Sequence, residues 1–87
     1  MNTKALEAFQ REYDAIATVW QAGMMGVIIE KNPEMYKRME RLDDEINVLI
    51  AKDKMDKVEG KRFAALLEAW KRIHELGFHY ASRHIKN

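Results

Sequence analysis

The 87-residue chain contains no cysteine and only one serine, Ser82. Without cysteine there can be no disulfide and no thiolate, either as nucleophile or as metal ligand. A serine nucleophile with an adjacent base therefore has almost no candidates, and we expect no enzymatic activity. Because disulfide-free chains suit a reducing compartment, we also expect a cytoplasmic location.

Strand signals, phosphate-binding loops and long apolar runs are also missing. No stretch alternates apolar and polar residues with period two. Two of the four glycines, Gly23 and Gly26, lie in a helical pattern with no strand before them, unlike a phosphate-binding loop. No run is apolar and long enough to span a bilayer, and the first residues lack the features of a secretion signal. We expect one all-α domain over residues 1–87, with no membrane association.

The sequence contains N-terminal capping signals for two helices. Asn32 is a good N-cap, and Pro33 suits the first helical position because it needs no N–H partner. Asp56 and Glu59 have the spacing of a capping box. These signals predict a three-helix up-down-up bundle with long first and third helices, spanning residues 3–31, 33–54 and 57–85.

The first predicted helix carries two apolar stripes rather than one. The first stripe consists of Leu6, Phe9, Tyr13, Ile16, Trp20, Met24 and Val27. The second consists of Ala8, Ala15, Val19, Ala22, Gly26 and Ile29. Together they cover more of the helix than one packing face needs. The excess predicts assembly into a homodimer, and also a larger protein partner.

Short connections make neighbouring helices antiparallel, so the first and third predicted helices should run parallel. The short second helix then places Trp20 level with Trp70. It leaves Leu6 and Phe9 overhanging at one end and residues 81–85 at the other. We expect the first stripe to face the bundle core and the second to face a partner. The predicted interface comprises Ala8, Ala15, Val19, Ala22, Gly26, Ile29, Phe78 and Ile85.

Glycines inside a helix cost about 1 kcal/mol each relative to alanine, so Gly23 and Gly26 need an explanation. One is close approach of another helix to a small-residue surface, a role that Gly77 could share. Another is a flexible bend, with Met24 and Met25 lining an adaptable binding surface. A third is a kink at which the helix packs as core. On the third helix, Ala69, Leu76 and Tyr80 widen the apolar face.

The three histidines, His74, His79 and His84, are spaced by five residues and so point in different directions around a helix. We therefore predict neither a metal site nor any cofactor. His74 falls on the apolar face, where a hydrogen-bonded core histidine is expected. At a subunit interface such a residue would make assembly sensitive to pH.

Basic residues concentrate in the last third of the chain, where residues 56–87 carry seven Lys or Arg against four Asp or Glu. A strip on the third helix consists of Lys61, Arg72, His79, Arg83 and Lys86, interrupted by Glu68 and Glu75. We expect a non-catalytic protein–protein interaction module: an adaptor, subunit or inhibitor that works as a helical homo-oligomer. The alternative is nucleic-acid binding through the basic strip.

Overall fold

The computed structural model describes residues 1–85 and contains, within them, four α-helices and no strand. The helices are α1 (Thr3–Val19), α2 (Met24–Lys31), α3 (Pro33–Ile50) and α4 (Lys57–His84). The all-α prediction is confirmed. The prediction of three helices is wrong, because the first predicted helix, 3–31, is two separate helices.

The break between α1 and α2 lies at residues 20–23. Trp20 is extended, with ψ 132°, and its N–H still donates to the carbonyl of Ile16. Gly23 has φ 92° and is the only residue of the described range with positive φ. Glycine takes this left-handed conformation without steric cost, whereas a side chain would oppose it. The break rules out close helix approach as the role of Gly23 and matches a kink that packs as core, since Met24 is 2% exposed and lines no adaptable surface.

The predicted starts of α3 and α4 are confirmed. The Asn32 side chain accepts a hydrogen bond from the Met35 N–H, with Pro33 in the first turn. The Asp56 side chain accepts from the Glu59 N–H at 2.8 Å, and the Glu59 side chain accepts from the Asp56 N–H at 3.1 Å. This reciprocal pair satisfies two amides that a helix start leaves without partners.

The second predicted helix ends four residues early, at Ile50 rather than residue 54. Residues 51–56 are instead the connection that reverses the chain and brings Asp56 to the extended conformation that its capping box requires. Lys52, in this connection, forms an ion pair with Glu59 of the next helix.

The centre of the fold is the antiparallel pair of α3 and α4. The indole N–H of Trp70 donates to the Asp43 carboxylate at 2.6 Å, which ties the two helices together at mid-length. Buried side chains form two clusters along the pair. The first contains Ala5, Ile46, Leu49, Ile50, Phe63 and Trp70. The second contains Met24, Ile28, Met39, Ile73 and Ala81.

Helix α1 runs parallel to α4 and belongs to the first cluster, whereas α2 belongs to the second. The Asn2 N–H donates to the Ile50 carbonyl at 2.8 Å, so α1 begins beside the end of α3. The predicted overhangs are wrong at both ends. Leu6 and Phe9 pack against the first cluster, and Ala81 is fully buried in the second. The break makes this possible because α1 and α2 each adapt to one cluster.

The two tryptophans do not lie at one level, contrary to the prediction. Trp70 packs edge-on against Phe9, with ring centroids 5.2 Å apart. Trp20 lies further along α4, with its ring 5.9 Å from that of His74 and against Gly77. The prediction assumed a straight first helix, and the extended residue at the end of α1 carries Trp20 past that level.

Gly77 is the most closely packed of the four glycines. A Cβ at this position would lie 2.6 Å from Met39 Cε, 3.0 Å from Ile28 Cδ1 and 3.3 Å from Trp20 Cη2. These neighbours are side-chain ends rather than the backbone of another helix, so Gly77 makes room for side chains and not for the close helix approach that we expected. At Gly26, by contrast, a Cβ would meet nothing of the described chain within 4 Å.

Candidate protein-interaction surfaces

An open groove of about 580 Å³ lies between α3 and α4. Its lining, which we call the α3–α4 groove, is Met35, Arg38, Arg41, Leu42, Glu45, Ala65, Glu68, Ala69, Arg72, Ile73 and Leu76. None of these residues belongs to α1 or α2, so the groove opens away from those helices. Its floor is apolar, and Leu76 is 55% exposed.

Charged side chains of both signs border the groove. Arg38, Arg41, Arg72 and Glu68 are all exposed and make no ion pair within residues 1–85. Glu45 does, accepting from Arg62 of α4 at 2.8 Å. The groove is thus an apolar channel whose rim charges are largely unmatched within the chain.

Sequence reasoning did not single out this groove. The available signal was the widening of the α4 face by Ala69 and Leu76, since both residues line the groove. When an apolar helix face is wider than the core of its own chain needs, the extra width lies next to a second packing surface.

A second, smaller cleft of about 220 Å³ lies between α1 and α4. It brings together three predicted interface residues, Ala15, Val19 and Phe78, with Val19 52% exposed. We call Ala15, Val19 and Phe78 the α1–α4 surface. The Trp20 ring borders the cleft, and its indole N–H is buried with no hydrogen-bond partner in residues 1–85. Lys71 and Glu12 pair across the cleft at 3.7 Å.

The other predicted interface residues lie apart from the cleft lining. Ala8 is half-buried against the first core cluster, and Ile85 packs against the second. Ala22, Gly26 and Ile29 are exposed on the linker and α2, with Ile29 48% exposed. Most of the second stripe is thus uncovered in the single chain, and its role as an interface stays a prediction.

The predicted basic strip lies along the exposed side of α4. Lys61, Arg72, His79 and Arg83 are all exposed, and Lys86 lies outside the described residues. Arg72 lines the α3–α4 groove together with Glu68. Glu68 and Glu75 remain exposed between the basic residues, so anionic charge interrupts the strip.

His74 is the one buried ionisable side chain of the core, with 7% of its surface exposed. Its Nδ1 donates to the Trp70 carbonyl at 2.8 Å, and its ring stacks on Trp70 with centroids 4.0 Å apart. Burial lowers the pKa of His74 below its ordinary value of 6.5, against smaller opposing effects of the Trp70 carbonyl and the Asp43 carboxylate. The expected hydrogen-bonded core histidine is confirmed.

Within residues 1–85, no three His, Asp or Glu side chains converge as metal ligands would. No helix in that range combines the length and apolar character needed to cross a bilayer. Comparison with protein families, curated proteins and solved structures found no match to this chain. The function is therefore argued from the surfaces alone.

Proposed function

We propose that the chain is a non-catalytic protein–protein interaction module: a small cytoplasmic adaptor, subunit or inhibitor that acts as a helical homo-oligomer on a larger protein. One observation carries the proposal. The α1–α4 surface exposes apolar side chains around the cleft between α1 and α4. Exposed apolar groups grouped around a concavity are typical of protein-binding sites.

The chemistry of the cleft favours a partner that inserts an apolar side chain. Val19, Ile16 and Phe78 supply apolar walls. Lys71 and Glu75 at the rim would contact polar groups around the inserted residue. An apolar anchor with a polar rim is the usual anatomy of such an interface.

The test is recovery of the bound protein from the native host with tagged wild-type chain and with Val19→Glu. Burying a charged side chain at position 19 against an apolar partner costs free energy. We therefore expect Val19→Glu to lose the protein that the wild type recovers. Val58→Glu is the matched control, because Val58 is 76% exposed and distant from the cleft. Circular dichroism should show all three chains equally helical.

The proposal fails if wild type and Val19→Glu recover the same proteins in the same amounts. Nucleic-acid binding, the alternative, would appear as DNA or RNA affinity that falls steeply with salt and is lost in Arg83→Glu. The glutamates interrupting the basic strip disfavour it, so we do not adopt it.

A further inference from the structure

The charges along the α3–α4 groove are ordered by sign. The contacts of Asp43 with Trp70 and of Glu45 with Arg62 set the level of one helix against the other. Because the helices are antiparallel, Glu45 and Glu68 lie toward the 51–56 connection, and Arg38 and Arg72 toward the opposite end. One end of the groove therefore carries Glu45 and Glu68 and the other Arg38 and Arg72, with Arg41 between the two ends.

We propose that the α3–α4 groove is occupied by a second copy of this chain, related by a two-fold axis that crosses the groove at right angles to its helices. This inference rests on the homo-oligomer in the proposed function and identifies its interface. The axis passes near the level of Leu42 and Ala69. Such an axis reverses the groove end for end, so the acidic end of each copy meets the basic end of the other.

The pairings follow from helix spacing on both helices at once. On α3, reversal about the midpoint of residues 41 and 42 sets Arg38 opposite Glu45 of the second copy. On α4, reversal about residue 70 sets Arg72 opposite Glu68 of the second copy. These two midpoints lie at nearly the same level, because Trp70 hydrogen-bonds Asp43. One axis thus satisfies both helices.

The same axis pairs apolar side chains that the single chain leaves in water. Met35 comes opposite Val48 of the second copy, and Val48 is 62% exposed in the single chain. Leu76, 55% exposed, comes opposite Ala64 of the second copy. The small side chains of Ala65 and Ala69 allow the α4 helices to approach closely. The result is a four-helix contact with apolar pairs, opposite charges toward both ends and Arg41 of each copy close to the axis.

The size of the face suits a stable interface. Two adjacent helices of at least 18 residues present a face of about 27 Å by 20 Å. Its accessible area, larger than this projection, approaches the ~800 Å² per partner of standard interfaces. A purely acidic partner would match the arginines but oppose Glu45 and Glu68, whereas a second copy matches both signs.

The test uses two complementary variants. The first, Arg38→Glu/Arg72→Glu, replaces the arginines of the basic end by acids, and the second, Glu45→Lys/Glu68→Lys, replaces the glutamates of the acidic end by bases. Each variant alone would place like charges opposite each other, which we expect to weaken self-association at least about tenfold. Mixed in equal amounts, they restore every opposite-charge pair, and the dimer should return. Light scattering and sedimentation at micromolar concentration measure the mass.

A dimeric wild type, monomeric single variants and a dimeric mixture would support the proposal. A monomeric wild type would overturn it, as would variants that remain dimeric alone or a mixture that stays monomeric. Recovery of association on mixing also shows that the variants are folded. Val19→Glu should remain dimeric, so loss of the larger partner and loss of self-association are distinguished.

Discussion

At the scale of the residue, the glycines of α4 differ sharply in what surrounds them. A Cβ at Gly60 would meet nothing within 4 Å, whereas at Gly77 it would lie 2.6 Å from Met39 Cε. Met39 is only 2% exposed, so its terminal methyl has little room to move. The two positions therefore separate helix propensity from core packing within one helix.

We expect Gly60→Ala to raise the free energy of unfolding by about 1 kcal/mol, the usual gain of alanine over glycine in a helix. At Gly77 the same gain is opposed by an overpacking cost of about 1–3 kcal/mol. Gly77→Ala should therefore be the less stable variant by that amount in urea denaturation at one protein concentration. Equal stability of the two variants would show that the packing around Gly77 relaxes freely.

The burial of His74 makes stability depend on pH. Burial lowers its pKa in the folded state, so below pH 6.5 the unfolded chain binds more protons than the folded one. The stability is fully present above that pH and declines as the pH falls toward the folded-state pKa. We expect thermal melts to show this decline in wild type and to show a shallower one in His74→Phe.

His79→Gln is the control for this measurement, because His79 is exposed on the same helix. It should keep the wild-type slope. An unchanged slope in His74→Phe would mean that another group, not His74, governs the acid side of the stability profile.

At the scale of the element, the glycines in the first predicted helix have different roles. Gly23 has φ 92°, while Gly26 lies inside α2, and both have open space where a Cβ would be. We expect Gly23→Ala to lower the free energy of unfolding by about 1–2 kcal/mol because an L side chain opposes the left-handed conformation. Gly26→Ala should raise it by about 0.5–1 kcal/mol. Urea denaturation measures both, and a stabilising Gly23→Ala would show that the break tolerates another conformation.

Helix starts were predictable and the internal break was not, for a physical reason. A cap is a local hydrogen-bond arrangement, and the residues Asn32, Asp56 and Glu59 suffice to form it. The break at residues 20–23 is imposed by tertiary packing, because α1 and α2 contact different core clusters. The apolar pattern runs through the break without interruption, so periodicity alone indicates one helix.

At the scale of the whole molecule, the core was easier to predict than the surfaces. Most of the first stripe faces the core, since Trp20 is half-buried and Met24 almost fully buried, but Tyr13 is 53% exposed. The fully buried Ile28 belongs to neither stripe. The α3–α4 groove arises only when two helices are placed side by side, and neither helix reveals it separately. The position of one helix along the length of another depends on contacts such as that of Trp70 with Asp43. No local sequence pattern encodes such a contact.

Gly23 is also the one position of the described chain at which the backbone adopts a left-handed conformation. Residues 1–85 otherwise keep to the negative φ of L-amino acids. A D-amino acid prefers the mirror-image region, which includes the dihedral that Gly23 adopts. In a chemically synthesised chain, D-alanine at this exposed position would restrict the unfolded state without straining the folded one.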